Sequence, residues 1–381
     1  MIYMDNAATT PVCMEARYAM QYAIDKAWGN PSSLHAAGRA ARELIEQARI
    51  DIAECLGINA DQAEQQIIFT SGATESCNHA IQQLMKYGWP VEFHADIEHS
   101  AVSKKLNRLN RAPWQVQMLA NNETGQIYLE QVYDLLVCKT PKRQSVLIDA
   151  TAAMGQIKVT LNSLLTCAEQ KPKTAWENPF FLAFSGHKFG APKGTGCLVR
   201  SWNIVLDPMI LGGEQEHGYR AGTENVLGIV GMAAALKHYT LHMKEFQKKE
   251  IALRDMLIEG VLDKVDCAVL NGAWVKGSCA ERLPGNVNFS FMDGDIDGTQ
   301  LVTMLDLKYG ICASSGAACH GHATEPSSVI LSTTGSEKRA KSSLRLTLSA
   351  ENTEQEVETA IYAIKDCIDT LCQTNGNAPL A

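Results

Sequence analysis

Between residues 66 and 200, short apolar segments recur, each bounded by glycine or polar residues. They lie at 66–70 (QIIFT), 91–95 (VEFHA), 115–120 (QVQMLA), 145–149 (SVLID), 180–185 (FFLAFS) and 196–200 (GCLVR). Stretches with helical periodicity occur before and between them, and two are clear at 15–26 and 38–56, with Gly57 as a stop. Short apolar strands alternating with helices predict a mainly parallel α/β sheet covered on both faces. After about residue 235 the pattern changes. Long charged helices at 236–262 and 352–372 flank strands at 286–291 and 343–348, which reads as a smaller α+β domain. The expected division is a large domain over 14–235 and a small one formed by 1–13 and 236–381. No internal repeat is present.

Composition excludes several classes of function. Of 381 residues, 46% are apolar, enough for a sizeable core and not the profile of a disordered chain. The net charge of −8, with no basic run, argues against direct binding to a nucleic-acid backbone. The apolar run at 227–236 is ten residues long, and a membrane helix needs about 20, so no membrane span is expected. The start Met1-Ile2-Tyr3-Met4-Asp5 has no basic region and no apolar core, so no signal peptide is read and a cytoplasmic location is expected. The 12 cysteines are scattered without a C-x-x-C pair, which predicts neither a disulfide framework nor a zinc ribbon.

Several residues have the chemistry of a site. Lys188, in Ser185-Gly186-His187-Lys188, follows an apolar strand, where ligands bind in parallel sheets, and can form a Schiff base with a carbonyl cofactor. The alternative is a solvated loop lysine. Asp149 ends the strand at 145–149; it is either the partner of a cationic ring nitrogen or a capping aspartate. His99 can stack on a flat ring or be structural. Asn122, in Asn121-Asn122-Glu123-Thr124-Gly125, can reach a phenolic oxygen or make an ordinary turn. The turn Ser71-Gly72-Ala73-Thr74-Glu75 between a strand and a helix is an anion-binding arrangement. Cys319 lies among small and polar residues with His320 and His322 nearby, as an accessible thiolate or an inert surface thiol; a metal site from these three is disfavoured, because one short segment rarely supplies a full ligand set. Arg345 sits mid-strand, where it can grip a carboxylate or form an internal ion pair.

Together, in order and spacing, these segments resemble the cysteine desulfurase and selenocysteine lyase family, class V aminotransferases of pyridoxal-phosphate fold type I. The resemblance runs from Tyr3 to about residue 348, through Phe69–Glu75 (FTSGATE), Glu98-His99, NNETG at 121–125, SGHK at 185–188, RAGTEN at 220–225 and SSGAAC at 314–319. It implies pyridoxal 5'-phosphate as cofactor, with Lys188 as its covalent anchor, Asp149 on the ring nitrogen and His99 stacked on the ring. Asn122 would contact the phenolic oxygen or the substrate. Ala73, Thr74, Ser185 and His187 would hold the phosphate, and Thr223 would reach the phosphate in a neighbouring subunit, implying a homodimer. Arg345 with Asn30 would hold the carboxylate of L-cysteine, and Cys319 would take its sulfur as a persulfide for an acceptor protein. That acceptor could serve iron–sulfur clusters, tRNA thiolation or DNA phosphorothioation. The alternatives are a selenocysteine lyase, which the stretch Cys319-His320-Gly321-His322 locally resembles, and a catalytically weak scaffold that binds partners.

Two departures from the family pattern stand out. Ala152 replaces a usual glutamine three residues after Asp149, which removes one hydrogen bond near the phenolic oxygen. The stretch from His99 to Asn122 is short enough to lack a strand and a helix. The lost strand is expected at an edge, leaving a six-stranded sheet whose new edge needs protection, such as a partner protein. Residues 166–178 look like a compensating insertion.

Overall fold

A computed structural model describes residues 1–86, 98–107, 117–118, 146–160, 180–201, 204–316 and 326–376. The chain separates into two compact units. Met1–Thr9 and the residues from Lys244 onward make one, and the described residues between Thr10 and Met243 make the other.

The chain opens with β1 (Ile2–Tyr3), which belongs with the C-terminal half. The larger unit then runs through α1 (Met14–Lys26), α2 (Ala36–Leu56), α3 (Ala63–Gln66), β2 (Ile67–Thr70), α4 (Ala73–Lys86), α5 (Ser100–Asn107), β3 (Gln117–Met118), β4 (Val146–Asp149), β5 (Phe180–Ser185) and β6 (Gly196–Arg200). As expected, Gly57 ends α2 in the left-handed conformation, with φ of 69°. Five described strands form one sheet in the order β2-β6-β5-β4-β3. β3, β4 and β5 are parallel, and β6 runs against both β5 and β2. β2 therefore points the same way as β5. The expected strand at 91–95 and the 166–178 segment lie outside the described residues.

β5 shows how a continuous apolar run serves a sheet covered twice. All six of its residues are buried. Successive side chains face opposite sides, so Phe180, Leu182 and Phe184 join a core with Ile45 and Ile52 of α2. Phe181 and Ala183 join a second core with Ala80, Ile81 and Leu84 of α4 and Val102 of α5. Each fully buried phenylalanine contributes about 2–3 kcal/mol.

A buried ion pair ties this unit together. Arg49 of α2 donates to both carboxylate oxygens of Glu216, at 2.9 and 3.0 Å, and to the carbonyl of Ile67 at 2.7 Å. Glu216 also accepts the Phe69 N–H at 2.8 Å, and the guanidinium lies 4.6 Å above the Phe69 ring. Burial works against the Arg49 charge, but Glu216 and then Glu46 outweigh it and hold its pKa above the ordinary value.

The helix α6 (Val226–Lys264) contributes to both units. It begins about ten residues earlier than the charged periodicity indicated, because its first turns are apolar and buried and so carry no amphipathic signal: Ile229, Met232, Ala233, Ala235 and Leu236 all join the first core. The smaller unit continues with β7 (Ala268–Leu270), β8 (Asn286–Phe291), α7 (Gly298–Tyr309), β9 (Ile311–Cys312), α8 (Ser328–Thr334), α9 (Glu337–Lys341), β10 (Leu344–Thr347) and α10 (Glu354–Gly376). β10-β8-β7 form an antiparallel sheet, and β1 pairs with β9 in parallel. Phe289, Phe291 and Leu346 of the sheet pack against Leu257 and Val261 of α6, Leu301 and Leu305 of α7, and Ile364 of α10.

Glu250 of α6 is 3% exposed and accepts the Ala350 N–H at 3.1 Å. Burial pushes its carboxyl pKa up from 4.5 to about 8. A raised carboxyl pKa favours the folded state at low pH, and that contribution is lost as pH climbs from 4.5 to about 8. Glu250→Gln keeps the acceptor and removes the titration. Relative to the parent, Tm is expected to rise by roughly 2–6 °C at about pH 8.5 and to match it near pH 5. Tm differences that do not change with pH would refute this.

Candidate active site

Because β2, β4 and β5 point the same way, Thr70, Asp149 and Ser185 end at one edge of the sheet. Thr70 and Ser185 are both paired with Gly196. A Cβ on Gly196 would lie 2.5 Å from the Gly72 Cα, so only glycine lets the β2–α4 turn approach β6 this closely. Within that turn, Thr70 and Ser76 hydroxyls are 2.8 Å apart, and Thr70 also donates to the Gly72 carbonyl at 3.2 Å. α4 starts at Ala73, with Thr74 exposed, so its first-turn N–H groups, which have no intrahelical acceptor, lie at this edge. Ser185, buried, donates its hydroxyl to the Thr195 carbonyl at 3.1 Å.

Asp149 is 6% exposed. Its Oδ1 accepts the Thr151 N–H at 3.0 Å and the Thr151 hydroxyl. Burial, then the Asp149 and Glu98 charges, push the thiol of the fully buried Cys77 of α4 well above its ordinary pKa. Asp149 thus makes the local capping contacts that were the alternative to a ligand role, while remaining at the strand end where a ring nitrogen can meet it. His99 is exposed, and its Nδ1 accepts the Ala101 N–H at 3.1 Å, starting α5. Asn78 of α4 donates to the Ala101 carbonyl at 3.1 Å, which fixes α5, and His99 with it, against α4.

The turn carrying Lys188 is braced from the N-terminal segment. Thr10 donates its N–H to the His187 carbonyl at 2.8 Å and its hydroxyl at 3.0 Å, and its Oγ1 accepts the Gly190 N–H at 2.7 Å. Gly190 has φ of 79°, with Tyr239 2.9 Å from where its Cβ would stand. Gly186, His187 and Lys188 form a single 3₁₀ turn, with the two side chains half-buried. Burial, then the Lys188 and Lys193 charges, lower the His187 pKa to about 4, so its imidazole is neutral at pH 7.

Two of the sequence motifs bind each other. Arg220 donates to Glu75 at 2.9 and 3.3 Å, and Glu75 accepts the Ser71 N–H at 2.8 Å. Burial alone would raise the Glu75 pKa, yet Arg220 and Ser71 hold it below the ordinary value. Thr223, three residues on, is exposed. Asn30 is also exposed, and its Oδ1 accepts the Ser32 N–H at 2.9 Å.

In the smaller unit, Arg345 of β10 pairs with Asp5 at 3.0 Å, so the internal ion pair is formed, while its buried Nε has no partner among the described residues. Arg345 and Ser314 exchange backbone hydrogen bonds of 2.6 and 3.1 Å. The root of the segment leading to Cys319 is thereby fixed beside Arg345. Asn122 and Cys319 themselves lie outside the described residues. Among the described residues no group of His, Cys, Asp and Glu is arranged to hold a metal.

Sequence reasoning missed the work of Thr10 and Glu216. Neither carries a periodic signal, and each acts through a partner more than 160 residues away.

The description aminotransferase class-V matches the chain over residues 2–164 and 178–359. The chain is similar to a cysteine desulfurase IscS of Dictyoglomus turgidum, at 32% identity over 97% of this chain and 95% of that one. Among solved structures it is similar to a NifS-like protein from Rickettsia africae, with 29% identity, TM-score 0.75 and coverage of 97% and 99%. Another NifS-like protein matches with 26% identity, TM-score 0.76 and coverage of 97% and 100%.

Proposed function

Since the chain belongs to the class-V aminotransferase family, among its cysteine desulfurases, we propose that it releases L-alanine from L-cysteine and keeps the sulfur as a persulfide on Cys319 for an acceptor protein. The observation that carries this reading is the convergence at one sheet edge of Asp149, Ser185, the Lys188 turn and the start of α4. These residues fit pyridoxal 5'-phosphate: a buried carboxylate for its ring nitrogen, a helix start and hydroxyl for its phosphate, and an amine to anchor it. When bound, that group supplies an electron sink for the substrate's carbanion.

Lys188 holds the cofactor, Asp149 stabilises its protonated ring nitrogen, His99 covers the ring and Asn122 contacts the phenolic oxygen. Ala73, Thr74, Ser185 and His187 hold the phosphate. Being neutral at pH 7, His187 offers an N–H donor without adding charge. Exposed Thr223 is assigned to the phosphate site of a second copy in a homodimer. Arg345, with Asn30, receives the substrate carboxylate on its guanidinium fork. The Cys319 thiolate attacks the substrate sulfur. The C–S bond breaks and an S–S bond forms, while the carbon keeps the electron pair and gains a proton. L-cysteine plus an enzyme thiol thus gives L-alanine plus an enzyme persulfide. A thiol that must stay reduced between turnovers suits the cytoplasm. Among the described residues no helix is long and apolar enough to cross a membrane. The acceptor serves iron–sulfur, tRNA-thiolation or DNA-phosphorothioation chemistry.

The test is alanine release from L-cysteine and from L-selenocysteine, with reductant, by wild type and Cys319→Ala. Release from cysteine that falls about a hundredfold or more in the variant is expected. Turnover of selenocysteine alone would make the protein a lyase. No turnover of either by cofactor-loaded protein, with or without a partner, would leave a scaffold.

A further inference from the structure

We infer that His79 and Gln83 are positioning residues that act on the other protomer's site: they fix the segment that presents Thr223 to the cofactor phosphate of a second copy. The inference rests on the reading of Thr223 as that phosphate contact in a homodimer. Glu75, His79 and Gln83 of α4 are spaced four residues apart, which stacks them on one helix face. His79 and Gln83 are each 1% exposed. His79 Nε2 and Gln83 Nε2 both lie 2.7 Å from the Asp207 carbonyl, and Gln83 Oε1 accepts the Asp207 N–H at 3.2 Å. A carbonyl only accepts, so His79 Nε2 carries the hydrogen. Burial lowers the His79 pKa to about 4 against the opposing pull of Glu75, so the ring is a neutral donor at pH 7. Its Nδ1 is buried without a partner among the described residues. An apolar side chain would fill the same space without that cost, which sets His79 apart from ordinary core packing. Lys86 adds an ion pair to the Asp207 carboxylate, but both groups are well exposed and the pair contributes little.

The same face of α4 holds the far end of the segment, through Glu75 on Arg220. Glu216 on Arg49 anchors its middle. The path from Asp207 to Thr223 is short. Ile210, three residues past Asp207, accepts the Ala221 N–H at 3.3 Å, and the Gly222 N–H donates to Gln215 Oε1 at 2.9 Å. Thr223 follows directly and is exposed. If Asp207 shifts, the Ile210 carbonyl and then Ala221 shift with it, and Thr223 is displaced. α4 therefore serves two sites: its first turn serves the phosphate of its own chain, and this face serves the phosphate of the other.

The test uses full-length mixed dimers, purified through two different affinity tags. One protomer carries Lys188→Ala, so that only the other anchors pyridoxal 5'-phosphate. The dissociation constant of the anchored cofactor is read from its visible absorbance. His79→Leu placed in the Lys188→Ala protomer is expected to raise it about tenfold, the worth of one phosphate hydrogen bond. Placed in the anchoring protomer, His79→Leu is expected to change it less than about twofold. Gln83→Met, apolar and similar in shape, should repeat the pattern, and it answers if His79→Leu folds poorly. His79→Gln keeps a donor at the same reach and should restore the constant to within about threefold of wild type. A merely structural role would weaken the protomer that carries the change, or both alike, and would not be rescued by His79→Gln; any of these results overturns the inference. Thr223→Val in the Lys188→Ala protomer is the reference. If it raises the constant and the α4 variants do not, the inference fails and the homodimer reading stands. If it has no effect, or if the two tagged chains do not associate, the homodimer reading fails and the inference with it.

Discussion

Lys188→Ala is expected to lower alanine release from L-cysteine by about 10⁴-fold and to remove the stable visible absorbance of the purified protein. The lysine stands on a turn fixed at both ends. Ser185 is in register with Gly196 on the sheet, and the carbonyl of His187 is held by the N–H and hydroxyl of Thr10. No other lysine is placed on this turn, and a flexible lysine elsewhere would lack that positioning. Lys188→Arg should fail equally, because a guanidinium is too weakly nucleophilic to anchor a carbonyl. Activity within tenfold of wild type in either variant would remove Lys188 from the mechanism. The readouts are alanine by chromatography and the absorbance spectrum of the desalted protein.

Glu216→Ala is expected to destabilise the larger unit by about 3–5 kcal/mol and to lower its melting temperature by roughly 10 °C. The substitution strips Arg49 of two hydrogen bonds and of its buried counter-charge, leaving a guanidinium only 2% exposed with Glu46 at 3.2 Å as its remaining carboxylate. It also orphans the Phe69 N–H in the middle of β2, and the backbone at 216, with φ of 49°, is one that alanine adopts with strain. Since β2 carries the turn into α4, the loss should reach the phosphate end of the site as weaker cofactor retention. Calorimetry of the two proteins at one pH and cofactor concentration decides. A melting temperature within 2 °C of the parent would show that Arg49 finds another partner.

Much of the fold was legible before any coordinates. The strands at 180–185 and 196–200 have the bounds expected of them, because an unbroken apolar run between turn residues leaves few other solutions. The strand at 286–291 is equally clear. The start of α6 was not, since an all-apolar buried stretch gives no helical stripe and ten residues were assigned to the wrong side of its boundary. Of the site, Lys188, Asp149 and Ser185 could be placed at strand ends from local pattern alone. Arg345 shows the limit: its strand was readable, but its ion pair with Asp5, 340 residues away in sequence, was only one of two open alternatives.

What the sequence determined by itself was the alternation that builds a doubly covered sheet, the order of the motifs and the set of reactive side chains. These are local properties, set by side-chain periodicity of two or 3.6 and by turn chemistry within a few residues. Tertiary structure alone decided which of these groups meet: Thr10 under the Lys188 turn, Glu75 on Arg220, and Arg49 on Glu216. Charge state was decided there too. Whether His187 holds a proton depends first on burial, which only the folded chain supplies, and then on the charges of Lys188 and Lys193 within the same segment.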